Sequence, residues 1–234
     1  SPGDMLEIVK QLRHALGCAH SQNLVHRDLK PENIFIAQAR RTDVPFTVKI
    51  LDFGIAKWAQ DAKMRSKNSE VLGSPYWMAP EQLQPGAEIS PATDVWALGL
   101  ILFWALSGRL YWMTGNIDDV SVEAVVREMI VEPMPAASAR LAALDPSRKL
   151  PLGFDAWFKR ATSRKASERF PNGGEALSAL EPILAQDNPM RAITTMPFPL
   201  APKAKDLRPP AERASDEQLW LDLIDTLQRE IQGG

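Results

Sequence analysis

The chain of 234 residues has one cysteine, three histidines and two tyrosines, and it carries almost no charge of either sign in excess. A single cysteine, Cys18, can make neither an intramolecular disulfide nor a cysteine metal cluster. A reducing compartment therefore fits, and the thiol is expected to be a small buried apolar group. The 27 basic and 29 acidic residues, a formal net charge of -2, leave no electrostatic footprint for nucleic acid or an anionic membrane. Long apolar runs are missing too. The most apolar stretch, Val95 to Leu106, is flanked by Asp94 and by Ser107-Gly108 and falls short of the ~20 residues that cross a bilayer, so a core helix is expected. No basic and apolar signal sequence opens the chain, and a cytoplasmic setting is expected, with Ser1 in place of a methionine leaving processing open.

What is present suits one well-buried core followed by a tail, with 45% hydrophobic and 24% charged positions. Met5, Ile8, Val9, Leu12, Leu16 and Ala19 recur at helical spacing, with Asp4 as a candidate N-cap and Glu7 three residues on. A long amphipathic helix ending near Ser21 is predicted. Ile34 to Ala37 and Phe46 to Leu51 are β-prone runs on either side of a polar stretch containing Arg40, Arg41, Thr42, Asp43 and Pro45, which predicts a hairpin. From Ala92 the pattern is helical, with Val122, Val125, Val126, Met129 and Ile130 on one stripe and Phe154, Trp157, Phe158 and Ala161 on another. Trp96, Trp104 and Trp157 sit inside such patterns, where core packing explains them better than a stacking surface for bases or sugars.

Prolines at 182, 189, 197, 199, 202, 209 and 210 oppose helix and central strand alike. They divide the chain into a folded unit over 1–185, an extended linker over 186–214 and a terminal segment over 215–234. In that last segment Leu219, Trp220, Leu223, Ile224, Leu227 and Ile231 outline an amphipathic helix whose apolar face must cover this domain, a partner or a second copy.

Three motifs carry the chemistry. His26-Arg27-Asp28-Leu29-Lys30-Pro31-Glu32-Asn33 follows the first helix, Asp52-Phe53-Gly54 follows the hairpin, and Ala79-Pro80-Glu81 lies beyond. Each alone is weak, but together and in this order they are specific. The chain resembles the serine/threonine protein kinases of the Hanks type, in a bacterial-like form, and the resemblance covers roughly Met5 to Leu184, the family's large lobe.

By that resemblance the reaction is transfer of the γ-phosphate of ATP to a protein substrate, which needs placement and charge neutralisation more than covalent help. Asp28 would accept or orient the proton of the acceptor hydroxyl. Lys30 would stand beside the phosphate in transit and marks serine/threonine specificity, while Asn33 and Asp52 would supply oxygen ligands to Mg²⁺. Ser74, in Gly73-Ser74-Pro75-Tyr76-Trp77-Met78, would contact Asp28 and Lys30 from the substrate-positioning loop, where threonine is more usual. Structural roles fall to His26 within its motif, to Asp94 as a hydrogen-bond acceptor for the catalytic loop, and to Glu81 and Arg169 as an ion pair. Arg27 before Asp28 resembles kinases switched on by phosphorylation of the activation segment, with Ser66 and Ser69 as candidate acceptors, although a merely solvated polar loop fits those serines equally.

The family's glycine-rich loop, strand lysine and helix glutamate are missing ahead of His26, where the sequence is used by one amphipathic helix. Two accounts follow. The chain is a truncated form of a complete kinase with impaired activity on its own, or it is a non-catalytic interaction or scaffold module that binds through the face around Ser74 and the helix at 119–132. The retained Asp28, Lys30, Asn33 and Asp52 favour the first, since a scaffold has no need of magnesium ligands. The expected fold is α+β, mainly α: a kinase-like large lobe with short β hairpins and the small lobe absent, its open cleft needing that lobe or a partner to cover it.

Overall fold

The computed structural model describes residues 2–39, 44–53, 75–84, 86–117 and 121–186. Ser66, Ser69, Ser74, the linker beyond Gln186 and the terminal amphipathic segment lie outside the described residues.

Helix α1 (Pro2–Ser21) opens the fold. Its Ile8, Val9, Leu12 and Leu16 are buried as the periodicity predicts. The helix starts before Asp4, which therefore lies in its first turn rather than at its cap. Cys18 corrects the expectation of a buried thiol, because it is exposed. Two residues past Leu16 is about 200° around a helix of 3.6 residues per turn, so Cys18 points away from the buried stripe.

Strands β1 (Ile34–Gln38) and β2 (Phe46–Ile50) form the antiparallel hairpin, with Ile34 opposite Ile50, Ile36 opposite Val48 and Gln38 opposite Phe46. A side chain of α1 serves the hairpin's edge. Gln11 donates from Nε2 to the Phe46 carbonyl at 3.1 Å and accepts the Val48 N–H at 2.8 Å. Two β2 groups that would otherwise lack a ladder partner are satisfied, and the hairpin is tied to α1.

Helix α2 (Pro91–Ser107) is the centre of the core. It is apolar on every side, and Val95, Trp96, Leu98, Leu100, Ile101 and Phe103 are each at most 1% exposed, the signature of a helix enclosed by others. Its ends are set locally. Ser90 accepts the Thr93 N–H at 2.9 Å ahead of Pro91, and at the other end Gly108 takes φ 70° while its N–H returns to the Trp104 carbonyl at 2.7 Å.

Helices α3 (Val122–Ile130), α4 (Ala137–Leu144), α5 (Phe154–Ala161) and α6 (Gly173–Gln186) pack around it. Val125, Val126 and Met129 of α3 are buried, as are Phe154, Trp157, Phe158 and Ala161 of α5. Trp96, Trp104 and Trp157 are at most 3% exposed, in agreement with core packing. One buried polar knot joins α3 and α4 to the loop after α2. Glu128 accepts from Met113 N, Thr114 N and Thr114 Oγ1 at 2.8, 3.0 and 2.7 Å and pairs with Arg140 at 3.1 Å. Among the described residues no helix is long and apolar enough to cross a membrane.

Candidate active site

The loop between α1 and β1 gathers the motif residues, and buried side chains fix its backbone. Asp94, in the first turn of α2 and 1% exposed, accepts three hydrogen bonds. The donors are the His26 N–H at 2.7 Å, the Arg27 N–H at 2.9 Å and His20 Nε2 at 2.8 Å. The Asp94 side chain lies at the N-terminal end of α2, the positive end of the helix dipole.

His20 is held at both nitrogens. Its Nδ1 accepts the Gly173 N–H at 2.9 Å, so the proton sits on Nε2, where it faces Asp94. Through His20 the end of α1, the start of α2 and the start of α6 meet at one point.

His26, fully buried, links the loop to the end of the hairpin. Its Nε2 donates to the Leu51 carbonyl at 2.8 Å and its Nδ1 accepts the Asp28 N–H at 3.3 Å. The Leu51 N–H donates to the Asn33 carbonyl at 2.8 Å, and Phe53 lies against the His26 ring with centroids 4.8 Å apart. The backbone positions of Asp28 and Asp52 are thus coupled through one imidazole. Asp52 itself is exposed, with φ 53°, in the left-handed region that costs a residue with a Cβ.

Asp28 and Lys30 form an ion pair, Nζ to Oδ2 at 3.1 Å, each side chain about a quarter exposed at 25% and 24%. Asn33 donates from Nδ2 to the Asp28 carbonyl at 2.8 Å, which leaves its Oδ1 as the atom able to meet a cation. The oxygens that could hold a cation are thus the Asn33 amide oxygen and the exposed Asp52 carboxylate. That suits Mg²⁺, which takes few protein ligands and completes its octahedron with water and phosphate oxygens. Among the described residues no group of three or more His, Cys, Asp or Glu side chains forms a cage for a metal.

The segment at 75–83 is anchored beside this loop. Glu81 and Arg169 pair through two parallel bonds of 2.7 Å, and Thr93 Oγ1 donates to Glu81 at 2.9 Å. Burial works to raise the Glu81 pKa, but the hydrogen bonds and positive charge of Arg169 outweigh it and hold the carboxyl below the ordinary glutamate value. Trp112 Nε1 donates to the Tyr76 carbonyl at 2.9 Å, and Gln82 Nε2 donates to the Arg27 carbonyl at 2.6 Å.

The fold therefore brings His26, Arg27, Asp28, Lys30, Asn33 and Asp94 into one network, with Asp52 joined through Leu51 and Glu81–Arg169 bracing the neighbouring segment. His20, Thr93 and Gln82 were not singled out from the sequence. His20 had one signal, its place four residues after Leu16 on the buried stripe of α1.

A family model described as the protein kinase domain matches residues 1–172. The chain is 33% identical over 227 residues to the serine/threonine-protein kinase Pkn1 of Myxococcus xanthus, covering 94% of this chain and 30% of that protein. It is 32% identical over 220 residues to the serine/threonine-protein kinase pkn3 of the same organism, covering 92% and 38%. With the probable serine/threonine-protein kinase PknB of Lactococcus lactis it shares 28% identity over 175 residues, covering 75% and 25%. The chain spans between 25% and 38% of the length of these three relatives.

Proposed function

The chain belongs to the protein kinase domain family, and from that premise we propose that it carries the phosphate-transferring lobe of a serine/threonine kinase acting on protein hydroxyls. The observation that carries this reading is the Asp28–Lys30 pair at 3.1 Å on a loop whose backbone is fixed by buried side chains. Asp28 orients the acceptor hydroxyl and takes up its proton, a general-base contribution of roughly 10²- to 10⁴-fold. Lys30 supplies positive charge on the same side. Asn33 Oδ1 and the Asp52 carboxylate hold Mg²⁺, which supplies neutralisation of phosphate charge when Mg·ATP is bound. Ser74 positions the substrate, and Arg27 receives a phosphate on Ser66 or Ser69 in a switched-on form.

The rate of these 234 residues by themselves is low in this reading. The sequence holds no Gly-x-Gly-x-x-Gly loop or paired strand lysine to cover the nucleotide, so ATP meets one wall of its cleft. Transfer belongs to the lobe joined to a nucleotide-covering lobe.

The test is transfer of labelled γ-phosphate to a basic protein and to the chain itself, compared with an Asp28→Asn variant. Slow transfer to serine or threonine that disappears in the variant is expected. Transfer unaffected by the substitution would come from another enzyme and would count against the reading. Tight capture of a protein partner by both forms, with no transfer even when a nucleotide-covering lobe is supplied, would favour the scaffold account.

A further inference from the structure

Arg27 adopts φ 66° although it is not glycine. A residue with a Cβ stays in that region only where its surroundings over-determine it. Both backbone groups of Arg27 are held from outside its own loop. Its N–H donates to Asp94 Oδ1 at 2.9 Å, and its carbonyl accepts from Gln82 Nε2 at 2.6 Å.

Gln82 lies one residue past the Ala79-Pro80-Glu81 motif and is itself fixed by its own turn. Its Oε1 accepts the Ala79 N–H at 2.9 Å, while its N–H donates to the Ala79 carbonyl at 2.9 Å. An amide N–H can only donate and a carbonyl can only accept, so the orientation of the Gln82 side chain is determined at both ends.

We propose that Gln82 is a positioning residue that clamps the Arg27 carbonyl, holding the left-handed turn that leads into Asp28 beside Trp77, Met78 and Gln82. The clamp couples the loop that bears Asp28 to the segment next to the proposed substrate-positioning Ser74. Its bearing on catalysis rests on the phosphotransfer reading, whereas its bearing on loop geometry does not.

Hydrogen exchange of the whole 234-residue chain tests the clamp, with Gln82→Glu and Gln82→Met compared with the wild type. Glutamate keeps an oxygen for the Ala79 N–H but presents an acceptor to the Arg27 carbonyl, and methionine keeps neither bond. Exchange of the amides at 26–30 is expected to rise roughly tenfold or more in both variants, while α2 amides exchange as in the wild type. Wild-type exchange at 26–30 in Gln82→Glu would overturn the proposal, since Gln82 would then only cap its own turn.

If Gln82→Met also loosens α2, the Arg27→Gly background decides. Glycine adopts positive φ without penalty, so adding Gln82→Met there should change exchange at 26–30 far less than in the wild type. An undiminished effect would overturn the clamp. In the transfer assay both Gln82 variants should lose about 10- to 100-fold in the Asp28-dependent rate with the apparent KM for ATP unchanged. A lower rate in Gln82→Met alone would point to a capping role and overturn the proposal. Absence of Asp28-dependent transfer in the wild type even with a nucleotide-covering lobe supplied would count against the phosphotransfer reading and leave the clamp to be judged by exchange.

Discussion

Removing one partner of the Glu81–Arg169 pair leaves a buried charge without its counter-ion, a loss of about 3 to 5 kcal/mol. Arg169→Ala is therefore expected to unfold or loosen the chain, which denaturant titration would register as a lower midpoint; an unchanged cooperative transition would contradict the pairing as a stabilising contact. The same pair has a pH signature. Glu81 is held below its ordinary pKa in the folded chain, so its contribution is complete above the unfolded value near ~4.3 and is lost as pH falls through the lower folded value. Urea midpoints measured from roughly pH 6 down to pH 3 should fall less steeply in Glu81→Gln than in the wild type. At this scale the sequence revealed residues that sit in contiguous motifs, since His26 to Asn33 identify one another by spacing. It did not reveal His20 or Gln82. Their partners, Asp94 with Gly173 and the Arg27 carbonyl, are far away in the chain and two of the contacts are to backbone, which has no side-chain signature.

Helices and strands were more legible than single contacts, because periodicity depends on the face each element buries. The stripes of α1, α3 and α5 and the hairpin all emerge from alternation or helical spacing, and α2 from its continuous apolar run. What spacing could not supply is how closely those faces approach. A Cβ on Gly99 of α2 would lie 2.6 Å from Thr162 Cγ2 and 3.4 Å from Ala161 Cβ. Thr162 cannot easily turn its methyl away, since Oγ1 donates to the Phe158 carbonyl at 2.8 Å. Gly99→Ala should thus lose about 1 to 3 kcal/mol by overpacking, seen as a lower melting temperature. Thr162→Ser removes that methyl and keeps the hydroxyl, so it should recover most of the loss in the double variant. Failure to recover would place the strain elsewhere in the α2–α5 contact.

At the scale of the whole molecule, the described residues form one helical core around α2 with the hairpin and motif loop at its edge, and a polar network joins that loop to α1, α2 and α6. The arrangement explains why conserving the geometry of Asp28 involves side chains from so many elements: a misplacement of about 1 Å in a group that must meet a reacting hydroxyl can lower the rate 10²-fold. In the function we propose, this loop is a phosphotransfer centre once the nucleotide is covered. The most direct measurement joins the chain to a nucleotide-covering kinase lobe and follows γ-phosphate transfer to a serine-bearing protein, with and without Asp28→Asn. Mg²⁺-dependent transfer that falls by about 10²-fold or more in the variant is the expected result. Transfer at equal rates in both, or none from a folded chimaera that binds Mg·ATP, would contradict it.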